Sequence, residues 1–387
     1  MTGGVPTLLA AAKAGNDAFV DRLRALVGID RGSRDLDGLA AAATTFAGFL
    51  AEAGMAVTRV PVGAGGPLGD AVVGRLQGSG RAGSGRRSVL LAGHLDTVFP
   101  PGTAAARPFT VDAAGIARGP GVCDDAGGLL AGVAAVEVLR ELGHDGFGEV
   151  VFLATPDEEI GSPGSRALLA ELGAAADAVL GLECARADGA LVSGRKGVAD
   201  VAVTLRGRAA HAGIEPGAGA SAALAAARLA LAFDALNDDD VTVNTGVLRA
   251  GERSNVVAAS GELRAELRAL DPARFAATLA RMRRLAADSA VPTELTVEAP
   301  VPPWRATAGT HRLLTLAREV GAEAGVDVHA VVTGGCGDAN LLAQYCDTVL
   351  DGLGPVGGGD HGEDEYLDLT TVPARVALLA GLMMRLG

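Results

Sequence analysis

Short, almost continuously apolar segments alternate with helical patterns along most of the chain, and this alternation constrains the fold more than any other feature. The segments 88–93, 149–155 and 178–183 have the length and apolar content of strands that are buried on both faces. Apolar residues at helical spacing cover 124–142 and 165–172 between them. Strands that alternate with helices are typical of βαβ units. The sequence therefore predicts an α/β fold with a mainly parallel sheet flanked by helices.

The pattern changes near residue 195, where apolar and polar residues begin to alternate as in a half-solvated antiparallel strand. The elements predicted from there are strand, helix, strand, strand, helix and strand, at 198–205, 218–236, 241–248, 255–270, 272–287 and 294–298. This order matches a ferredoxin-like α+β unit. The α/β pattern returns after Pro302 and Pro303. We therefore predict a larger domain at 1–194 that continues at 304–387, with an inserted domain at 195–303.

Composition excludes several classes of protein. The 387 residues include 46 acidic and 33 basic side chains, and the net charge of −13 argues against a nucleic-acid-binding face. The sequence shows no run of roughly 18 strongly apolar residues that would predict a membrane-spanning helix, and no N-terminal pattern typical of a secretory signal. We therefore expect a cytoplasmic protein without nucleic-acid or membrane partners, whose four widely spaced cysteines are reduced.

One glycine motif has the spacing of a nucleotide-binding turn, but the elements around it are in the wrong order for one. Gly78-Ser-Gly80-Arg-Ala-Gly83 has the G-x-G-x-x-G spacing of dinucleotide-binding turns. Such a turn follows a strand and opens a helix, whereas this segment precedes the apolar run at 88–93. The sequence contains neither a G-x-S-x-G elbow nor a P-loop. We therefore expect no nicotinamide cofactor.

Histidine and carboxylate side chains follow the predicted strands. The group comprises His94 and Asp96 after the first apolar run, Asp157, Glu158 and Glu159 after the second, Glu183 at the end of the third, Asp124 at a helix start and His361 in a glycine-rich loop. Each member alone has an ordinary alternative, such as a solvated acidic loop or, for Asp124, a helix N-cap. Ligands bind beyond the carboxyl ends of strands in open α/β sheets. Two histidines and several carboxylates there suit Zn²⁺, and a shared carboxylate suits two ions.

These residues stand in segments that resemble the M20 peptidase family, the co-catalytic zinc exopeptidases that include glutamate carboxypeptidase, aminoacylase and succinyl-diaminopimelate desuccinylase. The segments are His94-Leu-Asp96-Thr, Gly121-Val-Cys-Asp124, Asp157-Glu158-Glu159-Ile-Gly-Ser, Leu182-Glu183 and His361 with Asp364-Glu-Tyr-Leu-Asp368 downstream. The stretch His94-Leu-Asp-Thr-Val-Phe-Pro100 resembles the glutamate carboxypeptidase branch most closely. The resemblance runs from about residue 20 to the end, and it implies that the larger domain is a catalytic domain of the zinc-exopeptidase type.

The resemblance also implies a role for each residue. The residues that correspond to metal ligands are His94 and Glu183 on one zinc ion, Glu159 and His361 on the other, and Asp124 as the bridge. Asp96 corresponds to the carboxylate that orients His94, and Glu158 to the general base that activates the attacking water. A cis peptide bond is implied after Asp124. Two Zn²⁺ ions are expected in each subunit, and Co²⁺ or Mn²⁺ suits the same donors.

The inserted domain resembles the lid and dimerisation domain of the family. His211, in Gly207-Arg-Ala-Ala-His211-Ala-Gly, corresponds to the histidine that stabilises the tetrahedral oxyanion, commonly from the partner subunit. Asn255 corresponds to an asparagine that contacts substrate, and Arg268 to an arginine that binds a substrate carboxylate. Without the resemblance these would be a surface histidine, a turn asparagine and an ordinary strand arginine. A homodimer through residues 195–303 is implied.

Some positions depart from the family pattern or adjoin its ligands. Asp125-Ala126 stands where the family often has Met-Lys or a similar pair, and the added carboxylate changes the charge of the site or its choice of substrate. Cys336 lies in the glycine-rich segment 334–340. Cys123 and Cys184 are next to predicted ligands, and we interpret them as small packing residues because the ligand set is already complete. Sensitivity to oxidation or to metals is the alternative for these thiols.

These features together predict a metal-dependent hydrolase that cleaves an amide or peptide bond next to a free carboxylate. The branch resemblance favours a carboxypeptidase that releases a C-terminal amino acid, with acidic residues as candidates. One alternative is an N-acyl-amino-acid deacylase, which would use the same metal chemistry with a different acyl pocket. The other is a non-catalytic metal-dependent binding protein on the same fold, although Glu158 and all the corresponding ligands are present.

Overall fold

The computed structural model describes residues 4–63, 68–79 and 87–386. Residues 80–83 of the glycine motif therefore lie outside the described residues. The chain divides into unit 1, which comprises Met1–Ser193, Ala306–Val332 and Gly337–Gly387, and unit 2, which comprises Gly194–Arg305 and Thr333–Cys336.

The short segment Thr333–Cys336 differs from the predicted division, which assigned it to the larger domain. It groups with unit 2 because hydrogen bonds join it to residues of that unit. The backbone N–H of Lys196 donates to the Thr333 carbonyl at 3.0 Å, and the Arg268 guanidinium donates to the Gly334 carbonyl at 2.7 Å.

The described residues form eleven α-helices and four shorter helical turns. The helices are α1 Val5–Ala14, α2 Asn16–Val27, α3 Leu36–Glu52, α4 Thr103–Ala106, α5 Gly128–Glu141, α6 Arg166–Ala175, α7 Ala222–Asp234, α8 Pro272–Ala287, α9 Ala308–Ala324, α10 Asp338–Leu342 and α11 Val372–Leu386. The turns are Val122–Gly127, Glu158–Ile160, Pro216–Ala218 and Leu369–Thr371. Side-chain oxygens of Asp35, Ser221, Asp271 and Thr307 accept backbone N–H groups at the starts of α3, α7, α8 and α9, which satisfies donors that a helix start leaves free.

The strands of the described residues form four sheets. They are β1 Ala56–Pro61, β2 Asp70–Gln77, β3 Ser88–His94, β4 Thr110–Val111, β5 Ile116–Arg118, β6 Glu149–Thr155, β7 Ala178–Gly181, β8 Leu191–Arg195, β9 Gly197–Arg206, β10 Thr242–Ala250, β11 Ser260–Ala269, β12 Thr293–Val301, β13 Ala330–Thr333, β14 Val349–Leu350, β15 Gly357–Gly358 and β16 Tyr366–Asp368.

The largest sheet of unit 1 confirms the predicted α/β fold. Its strand order is β1-β2-β6-β3-β7-β14, with parallel pairing among β6, β3, β7 and β14 and antiparallel pairing of β1 and β2 at one side. The strands β3, β6 and β7 are buried almost throughout, as their continuous apolar sequences predicted. Because these three strands are parallel neighbours, the residues that follow them lie at one edge of the sheet.

Helices of unit 1 pack around a large apolar core. The helix α11 contacts α1, α5 and α9. Among the described residues, Leu369–Leu386 is the one segment long and apolar enough to cross a membrane, and 67% of it is buried inside the protein. The core helix of a globular domain can be as apolar as a membrane-spanning helix. The packing of α11 against three other helices accounts for its apolar character.

Unit 2 has its own sheet and its own apolar core. The sheet has the order β10-β11-β9-β12 with antiparallel pairing throughout, and α7 and α8 pack against it. Along the chain the elements run β9-α7-β10-β11-α8-β12, which is the predicted ferredoxin-like order. Alternate residues of β9 are buried, so one face of the sheet covers the core of this unit.

A small hairpin of unit 1 carries the last predicted ligand. The strands β15 and β16 pair antiparallel, and β16 also pairs with β5. The connection between β15 and β16 contains His361, whose φ of 64° lies in the left-handed region. This loop therefore brings residues 359–365 to the segment that follows β5.

Candidate metal centre

His94 ends β3 and is almost completely buried, with 1% of its surface exposed. Its Nδ1 lies 3.1 Å from the backbone carbonyl of Asp96 and 3.4 Å from the Asp96 carboxylate. An imidazole whose Nδ1–H donates in this way presents the lone pair of Nε2 to a metal. That nitrogen lies 2.8 Å from Asp124 and 3.6 Å from Glu183. The structure therefore brings together the three residues that correspond to one metal position.

Asp124 contacts a different histidine with each of its carboxylate oxygens. Oδ1 lies 2.8 Å from His94 Nε2, and Oδ2 lies 3.2 Å from His361 Nε2. The peptide bond between Asp124 and Asp125 is cis, as the resemblance implied. A carboxylate between two imidazole nitrogens has the arrangement of a bridge between two metal positions.

His361 and Glu159 form the other side of the group. His361 Nε2 lies 3.0 Å from Glu159 Oε2, and the His361 side chain is 55% exposed. Glu159 belongs to the turn after β6, and His361 to the hairpin loop between β15 and β16. The five predicted ligands therefore come from four separate loops and one strand end, all in unit 1.

Asp96 holds the turn that carries the two glutamates. One carboxylate oxygen of the buried Asp96 accepts the backbone N–H of Glu158 at 3.0 Å, and the other accepts that of Glu159 at 3.1 Å. The Ser33 hydroxyl also donates to it at 2.7 Å. Asp96 thus connects the end of β3 to the turn after β6. The sequence indicated its contact with His94 but not its contact with this turn.

Glu158 lies beside the same group. It lines a small cavity together with His94, Glu183 and Asp338. Asp338 accepts hydrogen bonds from the hydroxyls of Thr155, at 2.6 Å, and Ser162, and burial raises the pKa of Asp338 to about 6. The position of Glu158 beside two predicted ligands is the position that a proton acceptor at this centre needs.

Two residues that sequence analysis missed support the Asp124 segment. The buried carboxylate of Glu365 accepts the backbone N–H groups of Gly121, Cys123 and Asp124 at 2.8, 2.9 and 3.1 Å. The buried guanidinium of Arg31 donates to the Gly121 carbonyl at 2.9 Å. Glu365 stands in an acidic run just after His361, which was the available signal. Nothing in the sequence around Arg31 indicated that it supports this segment.

The electrostatics of the group follow from burying carboxylates and imidazoles together. Burial opposes ionisation of Asp124, but hydrogen bonds with His361 and His94 lower the pKa of Asp124. Burial also opposes charge on His94, yet its hydrogen bonds to Asp124 and Asp96 raise the pKa of His94. Hydrogen bonds to Asp124 and Glu159 raise the pKa of His361 to about 10. The carboxylates therefore draw positive charge into this group.

The donor set suits metal cations. Ligand atoms of His94, Asp124 and Glu159 lie within 4.8 Å of one another. Imidazole nitrogens with carboxylate oxygens are typical donors for Zn²⁺ and similar divalent ions. Cations bound there would neutralise the carboxylates that the two imidazoles now face. The residues present therefore fit a metal centre.

The predicted substrate residues lie in unit 2. His211 is exposed, and its Nδ1 accepts the backbone N–H groups of Gly213 and Ile214 at 3.1 and 3.2 Å. The neutral ring then carries its proton on Nε2, which makes that nitrogen a donor. Asn255 is exposed, and its backbone carbonyl accepts from Ala212 at 3.0 Å.

Arg268 is already paired within unit 2. Its guanidinium contacts both carboxylate oxygens of Glu266, at 2.6 and 2.9 Å, and donates to Gly334. Each terminal nitrogen of a guanidinium carries two hydrogens, so one hydrogen on each is left for a further acceptor. Any further acceptor at Arg268 would therefore share the guanidinium with Glu266.

The remaining positions singled out in the sequence are buried or partly buried. All four cysteines are free thiols. Cys123 and Cys184 belong to the core of unit 1, and Cys336 is partly buried. The Asp125 carboxylate is fully buried and accepts the His94 backbone N–H at 3.3 Å, and burial raises its pKa. Asp125 is thus a buried neighbour of the predicted metal centre and contacts the backbone of the predicted ligand His94.

Comparisons with known proteins agree with this geometry. The family model described as Peptidase family M20/M25/M40 matches residues 90–385. Carboxypeptidase G2 from Pseudomonas sp. (strain RS-16) is 34% identical to this chain over 391 aligned residues, covering 98% of this chain and 92% of the relative.

Solved structures show the same fold. Aminopeptidase PepT from Bacillus cereus is 22% identical, with a TM-score of 0.81 and coverage of 96% of this chain and 98% of that one. An M20 family metallo-carboxypeptidase from Sulfolobus solfataricus is 13% identical, with a TM-score of 0.73 over 95% and 98% of the two chains. The family match, the full-length relative and the metal-binding geometry lead to one conclusion: this chain belongs to peptidase family M20/M25/M40 and is a metal-dependent hydrolase of the metallopeptidase and amidohydrolase type.

Proposed function

We propose that this protein is a carboxypeptidase with two Zn²⁺ ions per subunit that releases a C-terminal amino acid, with acidic residues as the first candidates. The observation that carries the two-metal proposal is the position of Asp124, whose two oxygens face two different histidines. In this proposal His94 and Glu183 would hold one ion, Glu159 and His361 would hold the other, and Asp124 would contribute to both. Bound metal would supply an acidified water and a polarised scissile carbonyl.

Glu158 is the proposed general base. Its place beside His94 and Glu183 supports this role, as does the cavity that it lines with them. It would accept a proton from the attacking water and deliver that proton to the leaving amine, so that each turnover returns Glu158 to its starting state. Asp96 keeps the turn of Glu158 in position through the backbone contact described above.

The preference for a C-terminal residue is supported by the full-length relative, which is named a carboxypeptidase. Arg268 offers its two remaining guanidinium hydrogens to a substrate carboxylate, and Asn255 is the proposed polar contact with the rest of the substrate. His211 is the proposed oxyanion donor through Nε2–H, because its Nδ1 is already occupied as an acceptor.

A homodimer through unit 2 is part of the proposal. The helix α7 exposes Leu224 and Leu231, which are 59% and 72% exposed. These positions are seven residues apart, so they lie on one side of the helix. The strand β10 is at an edge of the sheet and exposes Leu248, so the sheet can be extended by pairing at that edge.

A hydrolysis screen on Zn²⁺-loaded protein tests the proposed function. The substrates are N-blocked dipeptides with a free C-terminal carboxylate, the same peptides as C-terminal amides, N-acyl amino acids, and N-benzoyl and pteroyl glutamates. Release of a free amino acid is measured. We expect cleavage of the blocked dipeptides and glutamates, no cleavage of the amides, and a loss of about 10²–10⁴ in kcat for Glu158→Gln.

The matched control is Glu171→Gln, since Glu171 is an exposed carboxylate on α6 and is not one of the proposed ligands. It should retain wild-type activity. Cleavage restricted to simple N-acyl amino acids would instead identify a deacylase. Binding of metal without turnover of any substrate, or turnover that survives Glu158→Gln, would contradict the proposed mechanism.

A further inference from the structure

We propose a second kind of metal site in unit 1, formed by the thiolates of Cys123 and Cys184 with the carboxylate of Asp360, that binds a thiophilic divalent cation such as Cd²⁺ or Zn²⁺. One ligand atom from each of the three residues lies within 4.8 Å of the others. Cys184 Sγ is 3.8 Å from Asp360 Oδ1. With metal–sulphur bonds of about 2.3 Å and metal–oxygen bonds of about 2.0–2.2 Å, a tetrahedral ion holds such atoms roughly 3.5–3.8 Å apart.

The surroundings of the three donors favour a bound cation. Two thiolates and one carboxylate carry three negative charges, which a divalent ion and one neighbouring arginine would balance. Arg186 supplies that positive charge, since its Nη2 lies 3.8 Å from Cys184 Sγ and donates to the Cys184 carbonyl at 2.9 Å. Its Nε is buried and has no hydrogen-bond partner among the described residues.

Space and access also suit this thiol site. Cys123 Sγ fills the space that a Cβ at Gly357 would need, so the glycine allows the sulphur to lie against the backbone of β15. The two sulphurs are buried, whereas Asp360 is exposed and gives an incoming ion a first contact. On binding, each thiol exchanges its proton for a bond to the metal, so that one ion releases two protons to solvent and leaves one position open.

The thiol site is distinct from the proposed two-metal centre but adjoins it along the chain. Each donor is the neighbour in sequence of one proposed ligand, and the pairs are Cys123–Asp124, Glu183–Cys184 and Asp360–His361. An ion at the thiol site would therefore connect three of the loops that carry those ligands. The two centres differ in donor type, because the proposed two-metal centre has only nitrogen and oxygen donors.

Because only the thiol site has sulphur donors, an absorption band from thiolate–metal bonds reports on it specifically. Metal-stripped protein is titrated with Cd²⁺, and the ultraviolet thiolate-to-Cd²⁺ charge-transfer absorption is recorded together with the number of ions bound. We expect the band to saturate at one thiolate-bound Cd²⁺ per chain. It should be lost in Cys123→Ser and in Cys184→Ser and retained in the control Cys346→Ser, which removes another buried free thiol of unit 1.

The cysteine variants place a serine in the core and can disturb folding, so a variant of the exposed donor Asp360 provides a second test. Asp360→Asn should keep the charge-transfer band but lower the Cd²⁺ affinity by about tenfold or more, since the loss of a partner in a metal site has effects of this size. Far-ultraviolet circular dichroism of each metal-stripped variant checks the fold. A wild-type protein that binds two ions without the band would overturn the thiol site while leaving the proposed function intact, and a band that survives both serine variants would also overturn it.

Discussion

Glu365 shows how a single side chain can support a metal centre without being one of its ligands. Its two oxygens accept three backbone N–H groups from the segment that ends at Asp124. Asp124 and Asp125 depart from helical backbone angles within that segment, so no regular helix holds the Asp124 backbone in place. The position of Asp124, the proposed bridging carboxylate, therefore depends on backbone hydrogen bonds donated to a residue more than 200 positions away.

Replacing Glu365 by glutamine should weaken metal binding more than folding. The Glu365→Gln side chain has the same shape, but its NH₂ group faces backbone N–H donors and leaves at least one of them unpaired, at a cost of about 1–3 kcal/mol. We expect Zn²⁺ affinity to fall about 10–100-fold, measured by competition with a chromophoric chelator. Glu363→Gln, an exposed carboxylate of the same loop, is the control and should bind as the wild type does. Equal affinities for the two variants would contradict this role.

At the level of the element, the parallel strands made the site partly predictable. The apolar runs located β3, β6 and β7, and the ends of those strands located His94, Glu158, Glu159 and Glu183. Contacts between distant segments were not predictable, because the Arg31 and Glu365 partners depend on how loops pack rather than on any periodic pattern.

The start of β11 was also not predictable from the sequence, because an irregular segment precedes the strand. The predicted strand 255–270 begins only at Ser260, because the Asn255 carbonyl accepts from Ala212 and the Val257 N–H donates to Ala210 instead of joining the sheet. The first five predicted residues, Asn-Val-Val-Ala-Ala, are mostly apolar and run directly into the alternating pattern of the strand, so the sequence does not mark where the strand begins. Sequence periodicity therefore overestimated the strand by five residues at its start.

The outer side of α7 carries the element-scale prediction. If the homodimer forms through unit 2, the double variant Leu224→Glu/Leu231→Glu places two charges in an apolar interface and should convert the dimer to a monomer. Light scattering coupled to size-exclusion chromatography measures the mass. Leu36→Glu changes a leucine of unit 1 that is 40% exposed and should leave the mass unchanged. A wild-type protein that runs as a monomer, or a double variant that stays dimeric, would contradict dimerisation through this helix.

At the scale of the whole molecule, the described residues form two apolar cores, and the proposed metal ligands belong to the unit of only one of them. One core lies in unit 1, the unit that carries every proposed ligand, and the other lies in unit 2 between its sheet and the helices α7 and α8. A ligand that binds only the folded state stabilises the part of the protein whose folding creates the site. Metal binding should therefore stabilise unit 1 and leave the intrinsic stability of unit 2 unchanged.

Metal removal tests this separation. At a free Zn²⁺ concentration about 100 times the dissociation constant, each bound ion stabilises the folded state by about 2.7 kcal/mol, which corresponds to roughly 5–10 °C in unfolding midpoint for a domain of this size. Hydrogen exchange followed by mass spectrometry, with and without chelator, assigns the change to peptides. We expect faster exchange after chelation in peptides of β3, β6 and α5, with peptides of β9 and β11 unchanged, because only the first group belongs to the fold that builds the metal centre. Equal acceleration in both units would show instead that the two cores unfold as one cooperative structure.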